Sequence, residues 1–420
     1  MRARSGLAHP PADLLPVKKA LLVSPVAPWG LFGGTATVSR NLIELFSSVL
    51  DLHVCCLRSD GGGDFPQTIH GATVLSGPIS PVVRQLKFFC DFSVASFAHR
   101  QFARAAVRRR FAALLDQVQP EFVIFDHIYS AWLIDLVKNP ATRVAYIAHD
   151  DMVAYADSLL GLSPSPLRRL RFSGLHRQYR DLQERILRRC AFVLTMTSED
   201  VTRLRASTPA TVEVAPLYFD FPSVAREYSD DFRYLMVAGS FDTWEKQLGL
   251  TQFLDSVFAP VLQRRPDVRL VIAGRIPPAV RRQIQFSEPQ VRIVHAPSGN
   301  EMQTLVQEAS AAVVLDVQIS GLKIKTIDLA AAGLPLVSWA PGIEGSGLVP
   351  GESCLVADSP GEFSRHLDRL CTDPPLRRKL GTAARAVVET EFSRSAATER
   401  FQASQLYGAF AEAGAAIPGV

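Results

Sequence analysis

Three short segments carry residue types that bind or transfer polar groups. The first, Gly30–Thr37 (GLFGGTAT), places Gly33, Gly34 and Thr35 at the predicted beginning of a helix. Glycines let the backbone approach a ligand, and the first turn of a helix offers free N–H groups to an anion. The segment is neither GxGxxG nor a Walker A loop. It predicts an anion contact, and a plain strand-to-helix turn is the alternative.

The second segment places His149, Asp150 and Asp151 directly after the apolar run Arg143–Ala148. A histidine at the carboxyl end of a parallel strand points into the cleft, where it binds a sugar hydroxyl or shuttles a proton. The two carboxylates fit a base or a group that stabilises developing positive charge, and capping of the next helix is the alternative. No second cluster of ligands stands at a defined spacing, so no metal site is predicted.

The third segment, Ser320–Pro335 (SGLKIKTIDLAAAGLP), places Lys323 and Lys325 at the beginning of a predicted helix. A lysine beside a helix N-terminus clamps a diphosphate because the helix dipole and the ammonium act together. Asp328 lies one turn after Lys325, where a carboxylate accepts hydrogen bonds from a ribose diol. A surface ion pair between Lys325 and Asp328 is the alternative.

The elements that position these segments form two series of short apolar runs alternating with amphipathic ones. In the first half we predict strands at Lys19–Ser24, Leu52–Leu57, Glu121–Phe125, Arg143–Ala148, Phe192–Thr195 and Val212–Ala215. In the second half we predict strands at Tyr234–Val237, Arg269–Ala273, Val291–Val294, Ala312–Leu315, Pro335–Ser338 and Cys354–Val356. This alternation is typical of parallel sheets covered by helices, with ligands at the carboxyl ends of the strands.

Between the strands we predict helices at about 35–49, 83–117, 128–138, 165–189 and 198–206, the last of them capped by Ser198. After Cys371 we predict helices at about 374–391 and 394–411. The expected fold is α/β, with two Rossmann-like doubly wound domains facing each other across a cleft. We expect an N-terminal domain at 1–218, a hinge at 219–232, a C-terminal domain at 233–395, and at 396–420 a helix that packs back towards the N-terminal domain.

Composition narrows the class of protein. The 420 residues are 47% hydrophobic and 20% charged, which is globular. The net charge of +4 is too small to indicate a nucleic-acid partner. Six cysteines include no CxxC pair, and neither a signal peptide nor an apolar run of membrane-spanning length stands in the sequence. We therefore expect a cytoplasmic protein.

The basic residues are concentrated in the first half, where residues 1–220 carry 25 Lys and Arg against 19 Asp and Glu. Arg84–Arg110 contains seven basic residues and five phenylalanines, with Asp91 as the one acid, and Arg168–Arg189 contains eight arginines. Basic helices with aromatic residues are typical of a membrane surface, here the inner face of the plasma membrane. The alternative is a solvated helix surface whose phenylalanines belong to the core.

The third segment and several others resemble a known family, the retaining GT-B glycosyltransferases (family 4-like, group 1). Its nucleotide-sugar signature is matched here by Gly321, Lys325, Asp328, Ala330–Ala332, Gly333–Pro335 and Gly342–Gly345. Similar segments also stand at 236–240 (MVAGS), 269–275 (RLVIAGR), 291–315 and 192–204, and in YIAHDD. The resemblance covers nearly the whole chain and is loose over residues 60–120.

The resemblance implies transfer of a sugar from a nucleotide-diphosphate sugar to a glycan, lipid-linked or polysaccharide acceptor, with retention of configuration. It implies no cofactor and no metal. Catalytic roles then fall to His149, Asp150, Asp151 and Lys325. Donor binding falls to Gly33, Gly34, Thr35, Gly239, Ser240, Lys246, Arg275, Lys323, Asp328, Gly342 and Glu344. An inverting reaction would instead need Asp150 or Asp151 as a base.

Two departures from the family pattern bear on these roles. The signature often has an additional acid before the position of Asp328, and Gly321 stands there in this chain. The arginine that usually follows the second-domain glycine loop is absent, so its role moves to Lys325, with Lys323 and Lys246 as further candidates. Alternatives are a sugar-nucleotide epimerase or a phosphorylase on the same scaffold, and a non-catalytic binder of nucleotide sugars or membrane surfaces.

Overall fold

A computed structural model of the chain describes residues 18–29, 34–58, 69, 71–75, 105–221, 226–287 and 290–412. Gly33 and most of the basic stretch Arg84–Arg110 lie outside the described residues. So do residues 222–225 of the predicted hinge and the chain beyond residue 412.

The first sheet has seven parallel strands in the spatial order β3-β2-β1-β4-β5-β6-β7. Its strands are β1 (Lys19–Val26), β2 (Asp51–Arg58), β3 (Gly71–Val74), β4 (Phe122–Asp126), β5 (Arg143–Ala148), β6 (Phe192–Thr195) and β7 (Thr211–Val214). The central strands are buried on both faces, which is why they are continuous apolar runs in the sequence. The strand β3 lies at the edge, is partly exposed and was not predicted.

Helices cover this sheet. They are α1 (Gly34–Ser47), α2 (Ala105–Val118), α3 (Ile128–Ala131), α4 (Met152–Leu162), α5 (Pro166–Leu187) and α6 (Ser198–Arg205). The prediction of one helix over 128–138 was wrong, because α3 ends after four residues and only a 3₁₀ turn follows at Ile134–Leu136. Ser198 does not cap α6. The cap is Thr197, whose hydroxyl accepts a hydrogen bond from Asp200 N–H at 3.1 Å.

The second sheet has six parallel strands in the order β10-β9-β8-β11-β12-β13. They are β8 (Leu235–Ser240), β9 (Leu270–Arg275), β10 (Val291–His295), β11 (Ala311–Val314), β12 (Leu336–Trp339) and β13 (Leu355–Ala357). Its helices are α7 (Trp244–Phe253, continued by a π-helical turn at Leu254–Phe258), α8 (Ala259–Arg264), α9 (Pro278–Gln283), α10 (Gly299–Glu308), α11 (Ile324–Ala331), α12 (Pro360–Thr372) and α13 (Pro374–Phe392).

The last helices return to the first sheet. The predicted helix 394–411 is divided at Ser404, which caps α15 (Gln405–Ala411) after the end of α14 (Arg394–Ala403). The Phe410 ring lies 4.9 Å from the ring of Phe122 in β4 and 5.7 Å from the ring of Phe46 in α1. Both of these phenylalanines are buried. This aromatic contact ties the end of the chain to the first α/β unit.

The predicted α/β architecture of two doubly wound units is confirmed. The carboxyl ends of the two sheets face each other, since the loop after β5 contacts the loop that follows β11. Asp151 N–H of the first unit donates to the Ser320 hydroxyl of the second at 2.6 Å. No helix among the described residues is both long enough and apolar enough to cross a bilayer.

Candidate active site

Lys325 lies in the first turn of α11, beside the end of β8. Its Nζ atom is 2.6 Å from Oδ2 of Asp316, which follows β11 and is 4% exposed. A Cβ atom on Gly239 would lie 3.7 Å from the same Nζ atom, so the ammonium borders the β8 loop. Burial raises the pKa of Asp316, but the charge and hydrogen bond of Lys325 outweigh it and hold the pKa below its usual range. A buried carboxylate therefore orients this lysine at a helix N-terminus.

The Lys325 ammonium pairs with Asp316 and not with Asp328. The surface ion pair between Lys325 and Asp328, the alternative predicted from the sequence, is therefore not observed. The Asp328 side chain is exposed to solvent. Lys246, in the first turn of α7, forms no hydrogen bond or ion pair with a described residue. Its positive charge lowers the pKa of both Asp316 and Asp150, so its ammonium lies close enough to interact electrostatically with both carboxylates.

Lys323 holds the protein backbone. It is 7% exposed, and its ammonium donates to the carbonyl oxygens of Ser320 at 2.5 Å and Gly321 at 2.9 Å. Burial lowers its pKa although several acids lie nearby. Gly342 is likewise used in packing, since its carbonyl accepts from the Thr326 hydroxyl at 2.8 Å and a Cβ atom there would overlap with Ser338.

Ser240 and Arg275 end the neighbouring strands β8 and β9. The Ser240 hydroxyl donates to Asp242 at 2.7 Å, and the Arg275 guanidinium lies 3.1 Å from the same carboxylate. Gly274 has no room for a side chain because a Cβ atom would overlap with the Gly239 carbonyl. This edge of the second sheet is therefore formed by the backbone of Gly239 and Gly274 and by the polar side chains of Ser240, Asp242 and Arg275.

His149, at the end of β5, is paired with a buried acid that the sequence analysis missed. Its Nε2 atom lies 2.6 Å from Oδ1 of Asp126, the last residue of β4. Oδ2 of Asp126 accepts from the Ser39 hydroxyl at 2.6 Å and the Ser24 hydroxyl at 3.0 Å. Burial raises the pKa of Asp126, but His149 and Ser39 outweigh it and hold the pKa below its usual range. The carboxylate is thus ionised and fixed.

His127 adjoins this pair in a strained conformation. Its φ angle of 72° lies in the left-handed region, which a non-glycine residue adopts at a cost. Its ring stacks on Tyr129 at 4.3 Å and lies 5.1 Å from the His149 ring. Burial lowers its pKa to about 3, so the ring is uncharged at neutral pH.

The two neighbouring acids have different surroundings. Asp151 caps α4, since its Oδ1 atom accepts from Val153 N–H at 3.1 Å and Ala154 N–H at 3.3 Å, and from the Gln183 amide at 2.9 Å. The capping alternative therefore describes Asp151. Asp150 forms no hydrogen bond or ion pair with a described residue, and burial raises its pKa. Of the two, Asp150 is the acid available for chemistry.

Gly34, in the described part of the glycine segment, lies against the beginning of α11. Gly34 begins α1, and a Cβ atom there would lie 2.7 Å from the Ile324 side chain at the beginning of α11. Thr35 is exposed in the same turn. The structure thus brings Gly34, His149, Asp150, Gly239 and Lys325 to the facing ends of the two sheets.

Glu344 has partners from both units. Its carboxylate accepts from Arg203 of α6 at 2.6 Å and from Ser320 N–H at 3.0 Å. Behind this contact lies a cavity of about 760 Å³, lined in part by Thr197, Glu344 and Arg400. His149 and Lys325 do not line this cavity.

Sequence reasoning missed Asp126, Asp200, Asp316 and Ser320 as members of the site. Asp126 and Asp316 had a usable signal, because each is an acid directly after an apolar strand (FVIFD and VVLD), at the edge where ligands bind. Asp200 and Ser320 had none, because the hydrogen bond that joins them spans 120 positions of the chain. No group of three or more acidic, histidine or cysteine side chains in the described part of the chain is arranged to hold a metal ion.

Comparisons with known proteins agree with this arrangement. Residues 233–373 match the family model described as glycosyl transferases group 1, which confirms the resemblance. A stretch of 124 residues is 24% identical to an uncharacterized 44.6 kDa protein from the cps region of Klebsiella pneumoniae. That match covers 28% of this chain and 32% of the relative, so it spans about a third of the relative's length.

Solved structures of low sequence identity share the whole architecture. Sucrose-phosphate synthase from Thermosynechococcus elongatus is 16% identical with a TM-score of 0.72, over 93% of this chain and 99% of that one. HepE of Anabaena, solved with UDP-glucose, is 12% identical with a TM-score of 0.65, over 93% and 100%. The lipopolysaccharide outer core galactosyltransferase WaaB is 14% identical with a TM-score of 0.59, over 93% and 99%. The fold is GT-B.

Proposed function

We propose that this protein is a nucleotide-sugar-dependent glycosyltransferase. It has the GT-B fold, and its residues 233–373 match the group 1 glycosyl transferases. It moves a hexosyl or related sugar to a glycan, lipid-linked or polysaccharide acceptor with retention of configuration. The observation that carries the proposal is Lys325, held by the buried Asp316 at the N-terminus of α11 and beside Gly239. An ammonium beside the positive end of a helix dipole is suited to a diphosphate leaving group.

The donor lies along the carboxyl edge of the second sheet. Lys325 and the first turn of α11 bind the diphosphate, and the unpaired ammonium of Lys246 is the second cation. Asp328 accepts hydrogen bonds from the ribose. Gly239 allows close approach of the phosphates, and Ser240 and Arg275 border the same loop. Charge is thus placed where it develops on the leaving group.

The first unit positions the sugar. Asp126 holds Nε2 of His149, which leaves Nδ1 as the nitrogen that meets a sugar hydroxyl. Gly33, Gly34 and Thr35 close on the phosphates from the opposite side. Asp150 lies beside the reacting centre without a hydrogen bond to any described residue, and it would be the base if the reaction inverted configuration.

Transfer is proposed to need no metal and no cofactor. Two lysines and a helix N-terminus supply the positive charge that a divalent cation would otherwise contribute. Activity that survives exhaustive treatment with EDTA would support this statement, and activity restored only by added Mg²⁺ or Mn²⁺ would contradict it.

The acceptor side is proposed to lie at the inner face of the plasma membrane. At the beginning of α5 the side chains of Leu167 and Leu170 are 76% and 72% exposed. They stand among the exposed arginines Arg168, Arg169 and Arg171. Exposed leucines between arginines suit an anionic lipid surface. The cps-region relative and WaaB support a polysaccharide or lipid-linked acceptor.

The proposed domain limits remain 1–218, 219–232, 233–395 and 396–420. They are supported by the interval between β7 and β8, and by the contacts of Phe410 with the first core.

A panel of UDP, GDP and their sugars tests the function. Binding of the right donor raises the melting temperature by mass action, and transfer is then assayed with that donor and a panel of acceptors. Sugar transfer that is lost in Lys325→Ala supports the proposal. Conversion of the donor without any acceptor would indicate an epimerase, and binding without turnover would indicate a non-catalytic binder.

A further inference from the structure

A buried acid of the first unit binds the loop that begins the donor helix in the second. Asp200, in the first turn of α6, is 1% exposed. Its Oδ2 atom accepts from Gly321 N–H at 3.0 Å, and its Oδ1 atom accepts from the Ser320 hydroxyl at 3.1 Å. A carboxylate from one unit thus holds two donors of the other.

Arg203 links Asp200 to Glu344, so that Asp200, Arg203, Glu344 and Ser320 form a closed ring of hydrogen bonds. Its guanidinium donates to Asp200 at 2.7 Å and to Glu344 at 2.6 Å. The other oxygen of Glu344 accepts from Ser320 N–H at 3.0 Å. Arg203 therefore links the two carboxylates that bind the same loop.

Every backbone polar group of Ser320 and Gly321 has a partner. Their two N–H groups donate to Glu344 and Asp200, and their two carbonyl oxygens accept from Lys323. Buried polar groups are costly when left unpaired, so removal of one partner is expected to change the loop.

The Ser320 loop needs this support because its backbone is unusual. Ser320 has φ 84°, in the left-handed region that favours glycine, and its hydroxyl also accepts from Asp151 N–H at 2.6 Å. Gly321 has φ 71°, and a Cβ atom there would overlap with the Asp150 carboxylate. The conformation is thus stabilised by groups of both units, with Asp200 and Asp151 contributed by the first.

We propose that Asp200 and Arg203 are positioning residues of the donor site. They set the Ser320–Gly321 loop, and through it the first turn of α11 that carries Lys325. The diphosphate site is then complete only when the two units are docked. This inference rests on the proposed function.

The test compares Arg203→Met, Arg203→Lys and Asp200→Asn with Arg264→Met. The control removes an exposed ion pair of similar length, between Arg264 and Asp368, within the second unit. Arg203 is 28% exposed and lies on the surface of α6, so its variants are expected to fold even where Asp200→Asn does not.

The first measurement is hydrogen exchange without any ligand. In Arg203→Met we expect the amides of Ser320, Gly321 and the first turn of α11 to exchange about tenfold faster than in the control. Faster exchange confined to Ser320 and Gly321, with the first turn of α11 unchanged, would overturn the proposal. This readout does not depend on turnover, so it separates failure of the positioning role from failure of the proposed function.

The second measurement is kinetic. In Arg203→Met we expect the dissociation constant of the nucleoside diphosphate and the donor KM to rise about tenfold, with the acceptor KM unchanged. Arg203→Lys recovers part of the loss because it keeps the charge. Unchanged donor binding in both Arg203→Met and Asp200→Asn would overturn the proposal, as would an equal effect in the control.

Discussion

The Nε2 atom of His149 lies 2.6 Å from Oδ1 of Asp126, and both side chains are buried. The other oxygen of Asp126 accepts from Ser39 and Ser24, so the carboxylate cannot turn. An ionised acid at Nε2 fixes the proton on that nitrogen and leaves Nδ1 as the atom that the ring offers. The strand ends β4 and β5 therefore determine both the orientation and the tautomer of His149.

Replacing Asp126 by Asn tests this relationship. The amide no longer holds the proton on Nε2, so the ring loses its fixed tautomer, and we expect kcat to fall by about tenfold or more with little change in donor KM. Ser24→Ala is the matched control because it removes one hydrogen bond to the same carboxylate and leaves the His149 contact in place. A normal kcat in Asp126→Asn, measured at several pH values, would contradict the assigned role.

The pair of Asp126 and His149 shows which parts of the candidate site can be predicted from the sequence. The strand β5 and the position of His149 at its end follow from an apolar run and a polar residue after it. Asp126 stands in the same pattern one strand earlier, yet its pairing with His149 follows from the order β4-β5 in the sheet, which the strand pattern alone does not contain. The contacts of Ser320 with Asp151 and Asp200 depend on docking of two units, so no local pattern encodes them.

Lys325→Ala is expected to weaken donor binding by about 100-fold, because it removes the cation nearest the proposed diphosphate. It also leaves the buried Asp316 unpaired, at a cost of roughly 3 kcal/mol in unfolding free energy. The double variant Lys325→Met with Asp316→Asn is expected to regain the stability without regaining donor binding. Urea denaturation and calorimetric titration separate the two effects, and donor turnover in the double variant would refute the assignment.

Asp151 and Asp150 are expected to respond in opposite ways. Asp151→Ala removes the cap of α4 and lowers the unfolding free energy by about 1–2 kcal/mol. Asp150→Ala removes a carboxylate without hydrogen bonds to described residues and leaves the unfolding free energy unchanged or higher. The anomer of the product, determined by NMR for the unaltered protein, checks retention. Activity that persists in Asp150→Asn would exclude this residue as the base of an inverting reaction.

Acid sensitivity is expected from His127. Its pKa is about 3 in the folded protein, where burial disfavours the charged ring, and near 6.5 in the unfolded chain. The unfolded state therefore binds one more proton between these values, and stability falls as the pH falls from 6.5 towards 3, by roughly 1.4 kcal/mol per pH unit. His127→Asn removes the titrating ring and keeps an acceptor for Tyr129 N–H. Urea denaturation at pH 4.5 and pH 7 is expected to show a smaller difference for this variant, and an identical difference would show that His127 is not the source.

Membrane contact is tested at the beginning of α5. Leu167→Ser with Leu170→Ser removes two exposed apolar side chains, so we expect partitioning onto vesicles with anionic lipids to fall at least about tenfold. Arg188→Gln, directly after the end of the same helix, is the control, because Arg188 already pairs with Glu184. Binding to anionic but not neutral vesicles, weakened by salt, is expected for the unaltered protein. If the double leucine variant binds anionic vesicles as well as the unaltered protein does, the membrane contact lies elsewhere. If the unaltered protein does not bind anionic vesicles, α5 is a solvated surface.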